Sequence, residues 1–164
     1  MRSACALLGL AVAMVQATNK PLSVCEALRQ RDALDNKIVS IRGVQNGADE
    51  GAWLLGSDCG VIRTDAREWK SIIWLETSRP SMRAAGVWPN DFWDSVRRIN
   101  SEIAKRHFDP SRDRLWLTYV GVFKAYDDEL NRSLRGGFGH MNVAPAELIV
   151  REVRDAVVEK AAGR

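Results

Sequence analysis

Few side chains in this chain have the type and spacing for chemistry. His107 and His140 are its only histidines, and neither belongs to an H-x-x-x-H or H-E-x-x-H pair that would hold a metal. No G-x-S-x-G elbow presents a nucleophilic serine. His140 follows three glycines, Gly136, Gly137 and Gly139, which let a backbone approach a ligand closely or turn tightly. Two readings stand for it. It is a ligand-binding or catalytic imidazole working with a carboxylate such as Asp58 or Asp127, or it is a loop residue bonded to a backbone carbonyl. His107 falls at a helix end, where a capping role is expected. Asp127, Asp128 and Glu129 cluster without a D-x-[DN]-x-[DN]-G loop, so a solvated loop is expected rather than a calcium site. No metal and no cofactor is expected.

Aromatic residues are the other resource. Trp74 and Trp116 lie inside strand-like runs and Trp93 borders an apolar helix face, which points to packing. Trp53, Trp69 and Trp88 are the surface candidates, able to stack on bases or sugars while arginines between Arg79 and Arg114 supply charge. The ligand-binding set expected from the sequence is His140, Trp53, Trp69 and Arg42.

Cysteine usage and the N-terminus set the compartment. Met1 and Arg2 precede an apolar run over residues 4–15 that ends in small residues, the pattern of a secretory signal peptide, with cleavage expected after Ala17 and Ala13 the next choice. An uncleaved anchor is the alternative, but it needs roughly 20 apolar residues. Cys5 leaves with the signal, and Cys25 and Cys59 remain as an even pair, read as one disulfide in an oxidising compartment. Two thiols without a nearby His or third Cys do not complete a zinc site. The protein is therefore expected in the periplasm or secreted. Net charge is only +3, so bulk attraction implies neither nucleic acid nor membrane as partner.

These residues need elements to position them. Ser23 and Glu26 form a capping box for a helix reaching about Leu34. Strand-like runs cover 37–44, 52–56, 71–76, 113–125 and 146–153, with residues 60–70 less regular and 79–89 a connecting segment. Phe92, Val96, Ile99 and Ile103 fall at i, i+4, i+7 and i+11, which predicts a helix over 90–106 with Asn90 as N-cap. The charged tail after Val153 is expected to be helical or frayed. Residues 18–164 thus read as one domain, mainly β with helices. The order is that of an OB-like β-barrel of five strands, with a helix between strands 3 and 4 and an extra N-terminal helix.

Five short patterns carry a resemblance: Val24-Cys25-Glu26-Ala27-Leu28, Lys37-Ile38-Val39 with Gly43, Gly51-Ala52-Trp53-Leu54 with Cys59, Gly137-Phe138-Gly139-His140, and Pro145-Ala146-Glu147-Leu148. Together the chain resembles a family of small, uncharacterised exported bacterial proteins with an OB-like barrel. The resemblance implies fold and export, and it brings no catalytic residues. The function expected is an exported, non-enzymatic binding or interaction module for a glycan, peptide or protein. A hydrolase-type enzyme using His140 with a carboxylate is the alternative, and a single-stranded nucleic-acid binder is the second alternative.

Overall fold

The computed structural model describes residues 20–49, 51–57, 59–64, 67–126 and 137–161. The chain enters through a two-residue strand, β1 (Leu22–Ser23), and a short helix, α1 (Val24–Arg29). The Ser23 hydroxyl accepts the Glu26 backbone N–H, and the Glu26 carboxylate accepts the Ser23 N–H at 2.7 Å, so the expected capping box is present. The helix does not run unbroken to Leu34. It stops at Gln30 and restarts as α2 (Arg31–Leu34), whose N-cap offers no side-chain hydrogen bond.

The strands expected from the sequence are all found: β2 (Ile38–Ala48), β3 (Gly51–Leu55), β6 (Ile72–Glu76), β7 (Arg114–Ala125) and β8 (Ala146–Glu159). With β1 they make a six-stranded mixed sheet in the order β1-β2-β3-β6-β8-β7, and β7 also pairs with β2. Two pairs, β1 with β2 and β6 with β8, are parallel. The region 60–70 holds a separate hairpin of β4 (Ile62–Thr64) and β5 (Arg67–Trp69). Inward side chains such as Ile41, Leu54, Ile73, Phe123, Leu148 and Val150 are almost fully buried and form the main core.

Three further elements differ from expectation. The segment after Thr77 contains a helix, α3 (Arg79–Ala84), because the Ser78 hydroxyl caps the Ser81 N–H and Pro80 suits its first turn. Beyond Val153 the chain is strand, not helix. Its buried residues Val150, Val153 and Ala156 recur every third position because the ladder on β7 skips a residue of this strand at each of two register shifts, and the pairing runs on to Arg114 opposite Glu159. The long helix, α4 (Pro89–Lys105), has Trp88 rather than Asn90 at its N-cap, since Pro89 is preset for the first helical position. His107 follows its C-terminus in the left-handed region, φ 49°, a usual way for a helix to end.

The apolar stripe of α4 faces the sheet as its spacing predicts, with Phe92 and Ile99 buried and Val96 and Ile103 packed beside them. The β7–β8 register slips between Thr118 and Tyr119. At that slip α4 supplies partners to β8: Ser95 accepts the Val153 N–H at 2.9 Å, and the Arg98 guanidinium donates to the Val153 carbonyl at 2.9 Å and the Arg154 carbonyl at 3.2 Å. Backbone groups left over by an irregular ladder are thereby satisfied.

The Cys25–Cys59 disulfide is formed, tying α1 to the segment after β3 across a sequence separation of 34. It fits a protein of an oxidising compartment. Among the described residues no helix is long and apolar enough to cross a membrane. Replacing both cysteines by alanine is expected to lower unfolding stability by roughly 3–4 kcal/mol, the loop-closure contribution for this separation. Urea denaturation of the two forms measures it, and equal midpoints would show that the bridge contributes nothing.

Candidate functional site

The outer face of the sheet carries one row of side chains that crosses five strands. Asn46 on β2 lies opposite Trp53 on β3, Trp53 opposite Trp74 on β6, Trp74 opposite Glu147 on β8, and Glu147 opposite Lys124 on β7. Partners across a ladder project to the same side, so the sheet itself brings these groups together. The Trp53 and Trp74 rings stack with centroids 6.1 Å apart and planes 18° from parallel. Ile72, Trp74 and Ala144 form a second small core here, with Trp53, Leu55, Phe138 and Val143 packed around it.

A strap, residues 137–144, covers this core. It is closed by a two-way backbone pair between Phe138 and Ala144, at 2.9 and 3.2 Å. Its glycines are there for contact. A β-carbon at Gly139 would fall 2.2 Å from Trp74 Cε3, and its φ of 77° already excludes most side chains. A β-carbon at Gly137 would fall 2.4 Å from Trp69 Cζ3. With backbone lying flat on both indoles, the strap turns sharply, placing Met141 and Asn142 in the left-handed region at φ 59° and 54°. Non-glycine residues held this way cost energy and concentrate where a surface is being presented. The turn presents His140 and Met141, both exposed, Met141 at 76%.

Glu147 sits half-buried at the start of β8. Burial, then the neighbouring Glu76 carboxylate, push its acid up to about 7, with Lys124 acting in the opposite direction. The row thus sets this carboxyl next to the stacked indole pair.

Of the sequence-predicted set, Trp53, Trp69 and His140 all border the strap. Trp69 does so from inside: it is 4% exposed, its ring tilted against Tyr126 at 4.9 Å, its N–H donated to the Thr64 hydroxyl at 3.1 Å, and the Arg67 guanidinium 4.2 Å over it. The surface placement expected for Trp69 is corrected accordingly, because the β4–β5 hairpin and the strap close over it. Arg42 stands apart, four residues along β2 from Asn46, or about 13 Å of strand. Its guanidinium is engaged with Asp155 at 3.2 Å, and the Thr118 hydroxyl donates to the same carboxylate oxygen. Asp58, Gly136 and the acidic cluster at 127–129 lie outside the described residues. Among the described residues no group of three or more His, Cys, Asp or Glu side chains could hold a metal ion.

Sequence reasoning passed over Glu147. The signal was there, since Glu147 alternates with Ala146 and Leu148 and so faces outward from a strand whose other face is core. A cavity of about 410 Å³ also lies between α4 and the sheet. It is mostly apolar, and its polar lining includes Gln45, whose carbonyl accepts the Tyr119 hydroxyl at 2.9 Å. Burial raises the Tyr119 acid and keeps the phenol neutral. Comparison with protein-family models, with curated proteins and with solved structures finds no match to this chain.

Two outcomes follow from this geometry. Gly139→Ala should destabilise by about 1–3 kcal/mol through the clash with Trp74 and the left-handed φ, read by chemical denaturation; an unchanged midpoint would mean the strap does not rest on the indole. The second concerns pH. Glu147 keeps its proton to about 7 when folded, but the unfolded chain releases it near 4.5. Stability is therefore lost as pH rises from 4.5 through 7. Glu147→Gln should raise the Tm by about 2–4 °C at pH 8 and leave it unchanged at pH 4. Equal effects at the two pH values would reject the assignment.

Proposed function

We propose that this protein is an exported, non-enzymatic binding module on an OB-like barrel, and that the strap-covered aromatic face holds its ligand. The reading of the fold is supported by the pairing of the five long strands: β2-β3-β6-β8-β7 in order, β7 returning to β2, β6–β8 the one parallel pair among them, and α4 between the third and fourth. In an OB barrel the second and third strands and the loops beside them form the ligand face. Here those strands are β3 and β6, which carry Trp53 and Trp74, and the strap belongs to the connection from β7 to β8.

Placement in the periplasm or outside the cell is supported by the disulfide and by the signal-like N-terminus. A place among the small exported bacterial proteins that the chain resembles is part of the same proposal. The observation that carries the functional reading is the strained turn that offers His140 and an exposed Met141 above a stacked tryptophan pair. An exposed methionine suits a partially apolar surface, and a net charge of only +3 gives phosphates little bulk attraction, so a glycan, peptide or protein is favoured over nucleic acid.

The test is a screen of the protein on glycan and peptide arrays, followed by titration of the best hit. Met141→Ser and His140→Ala should each weaken that hit about tenfold with the Tm unchanged. A hit bound equally by both variants would move the ligand elsewhere on the molecule, and affinity for single-stranded DNA falling steeply with salt would favour the nucleic-acid alternative.

A further inference from the structure

The corner between α3 and α4 carries a second constellation, none of whose residues belongs to the strap face. Arg79 and Arg83 stand four residues apart on α3, so their side chains share a face. Both are exposed, and among the described residues neither has a carboxylate partner. Two like charges at this spacing repel, so the fold carries them at a small cost. Beside them Trp88 is 75% exposed, second only to Met141 among the large apolar side chains of the described residues.

The backbone that carries Trp88 is held by its neighbours. Val87 is buried at 4% and its N–H donates to the Met82 carbonyl at 2.8 Å, while Pro89 fixes the first position of α4. The backbone on both sides is thus pinned and the indole stands out into solvent. An indole held out from a fixed backbone offers a stacking face whose position along the chain is set, and ligand contact then orders its side-chain torsions.

Two hollows meet at this corner and share Arg79 and Asn90. One, of about 510 Å³, adds Arg83 and Trp88. The other, of about 490 Å³, adds Trp93, Asp94 and Arg97. Their chemistry differs. The first joins an indole to two unpaired guanidinium groups, which suits an anion attached to a ring. The second joins an indole, 41% exposed and set edge-on to Phe92, to an amide and an Arg97–Asp94 ion pair. Together with the shared Arg79 this is a mixed set of donors around one carboxylate acceptor, with a single net positive charge, able both to donate to and to accept from neighbouring hydroxyl groups.

We infer that the α3–α4 corner is a binding site for an acidic oligosaccharide, with a carboxylate-bearing sugar against Trp88, Arg79 and Arg83, and the next sugar against Trp93, Asn90, Asp94 and Arg97. The flat C–H face of a pyranose covers an exposed indole, removing apolar surface on both sides from water. Arg79 and Arg83 take the carboxylate. Single-stranded DNA fits less well, because its phosphodiester brings only acceptors to the second hollow and offers the Asp94 carboxylate no hydroxyl to accept from.

Titration of the full-length protein with tetragalacturonate, followed by tryptophan fluorescence, tests this. Saturable binding is expected, weakening as salt rises. Arg79→Ala, Arg83→Gln and Trp88→Ala should each reduce affinity about tenfold or more. Their exposure means the Tm should hold, which a melting curve verifies. Neutral maltotetraose should bind at least tenfold more weakly. The inference is overturned if maltotetraose binds as well as the acidic sugar, if single-stranded oligothymidylate binds more tightly than either, if no saccharide binds, or if the three substitutions leave affinity unchanged. Met141→Ser should leave this binding intact, which separates the corner from the strap face.

Discussion

The molecule depends on β8 being bonded along both edges. Toward its start it runs parallel to β6, and along its whole length it runs antiparallel to β7. Its inward residues Leu148, Val150, Val153 and Ala156 are core, and its outward Glu147 belongs to the candidate site. Where its ladder slips, α4 docks through Ser95 and Arg98 and completes the hydrogen bonding. One strand thus sets the height of the helix, the register of the outer row and the anchor of the strap. A buried backbone group left without a partner costs about as much as a lost hydrogen bond. The irregularity in β8 and the docking of α4 are therefore a single solution to one problem.

The strap shows how a surface gains shape at the expense of conformational ease. Backbone instead of side chain lies on Trp74 and Trp69, so the turn between the two contact glycines is short and its next residues enter left-handed conformations. The indoles below are packing residues, and what they support is the exposed turn above them. Structural and functional readings of Gly137 and Gly139 are compatible in this arrangement, since the glycines serve the close approach and His140 occupies the outcome.

The strand pattern and the period of α4 were legible because burial on one face leaves alternation or a 3.6-residue stripe in the sequence. The capping box and the cysteine pair were legible from residue type alone. What stayed hidden depended on partners distant in the chain. Trp69 has the composition of a surface residue in an irregular segment, and only the arrival of the strap and Tyr126 buries it. The tail after Val153 has the charge of a solvated helix, yet it is held as strand by Leu115, Trp116 and Leu117 opposite it. Residues 79–89 hold two prolines and a glycine and look like connection, but the Ser78 cap is enough for one short helix. At the site, the aromatics could be picked out from the sequence, whereas Glu147 and the separation of Arg42 from the strap needed the register.

The pairing of β2 with β7 and of β6 with β8 also sets an order of events. Residues 20–76 supply α1, the β2–β3 hairpin and β6, with the disulfide closing within them. At that stage β2 and β6 each have an unpaired backbone edge, and the strands that will cover those edges lie at the far end of the chain. A bare strand edge is a template for any other strand, and contacts this distant in sequence form late. A chain that is made N-terminus first therefore carries two open edges until its last 50 or so residues arrive. Both cysteines lie within residues 20–76, so the disulfide needs neither of the late strands to bring its partners together, and α1 can be fastened to one flank of the sheet while the two edges are still open.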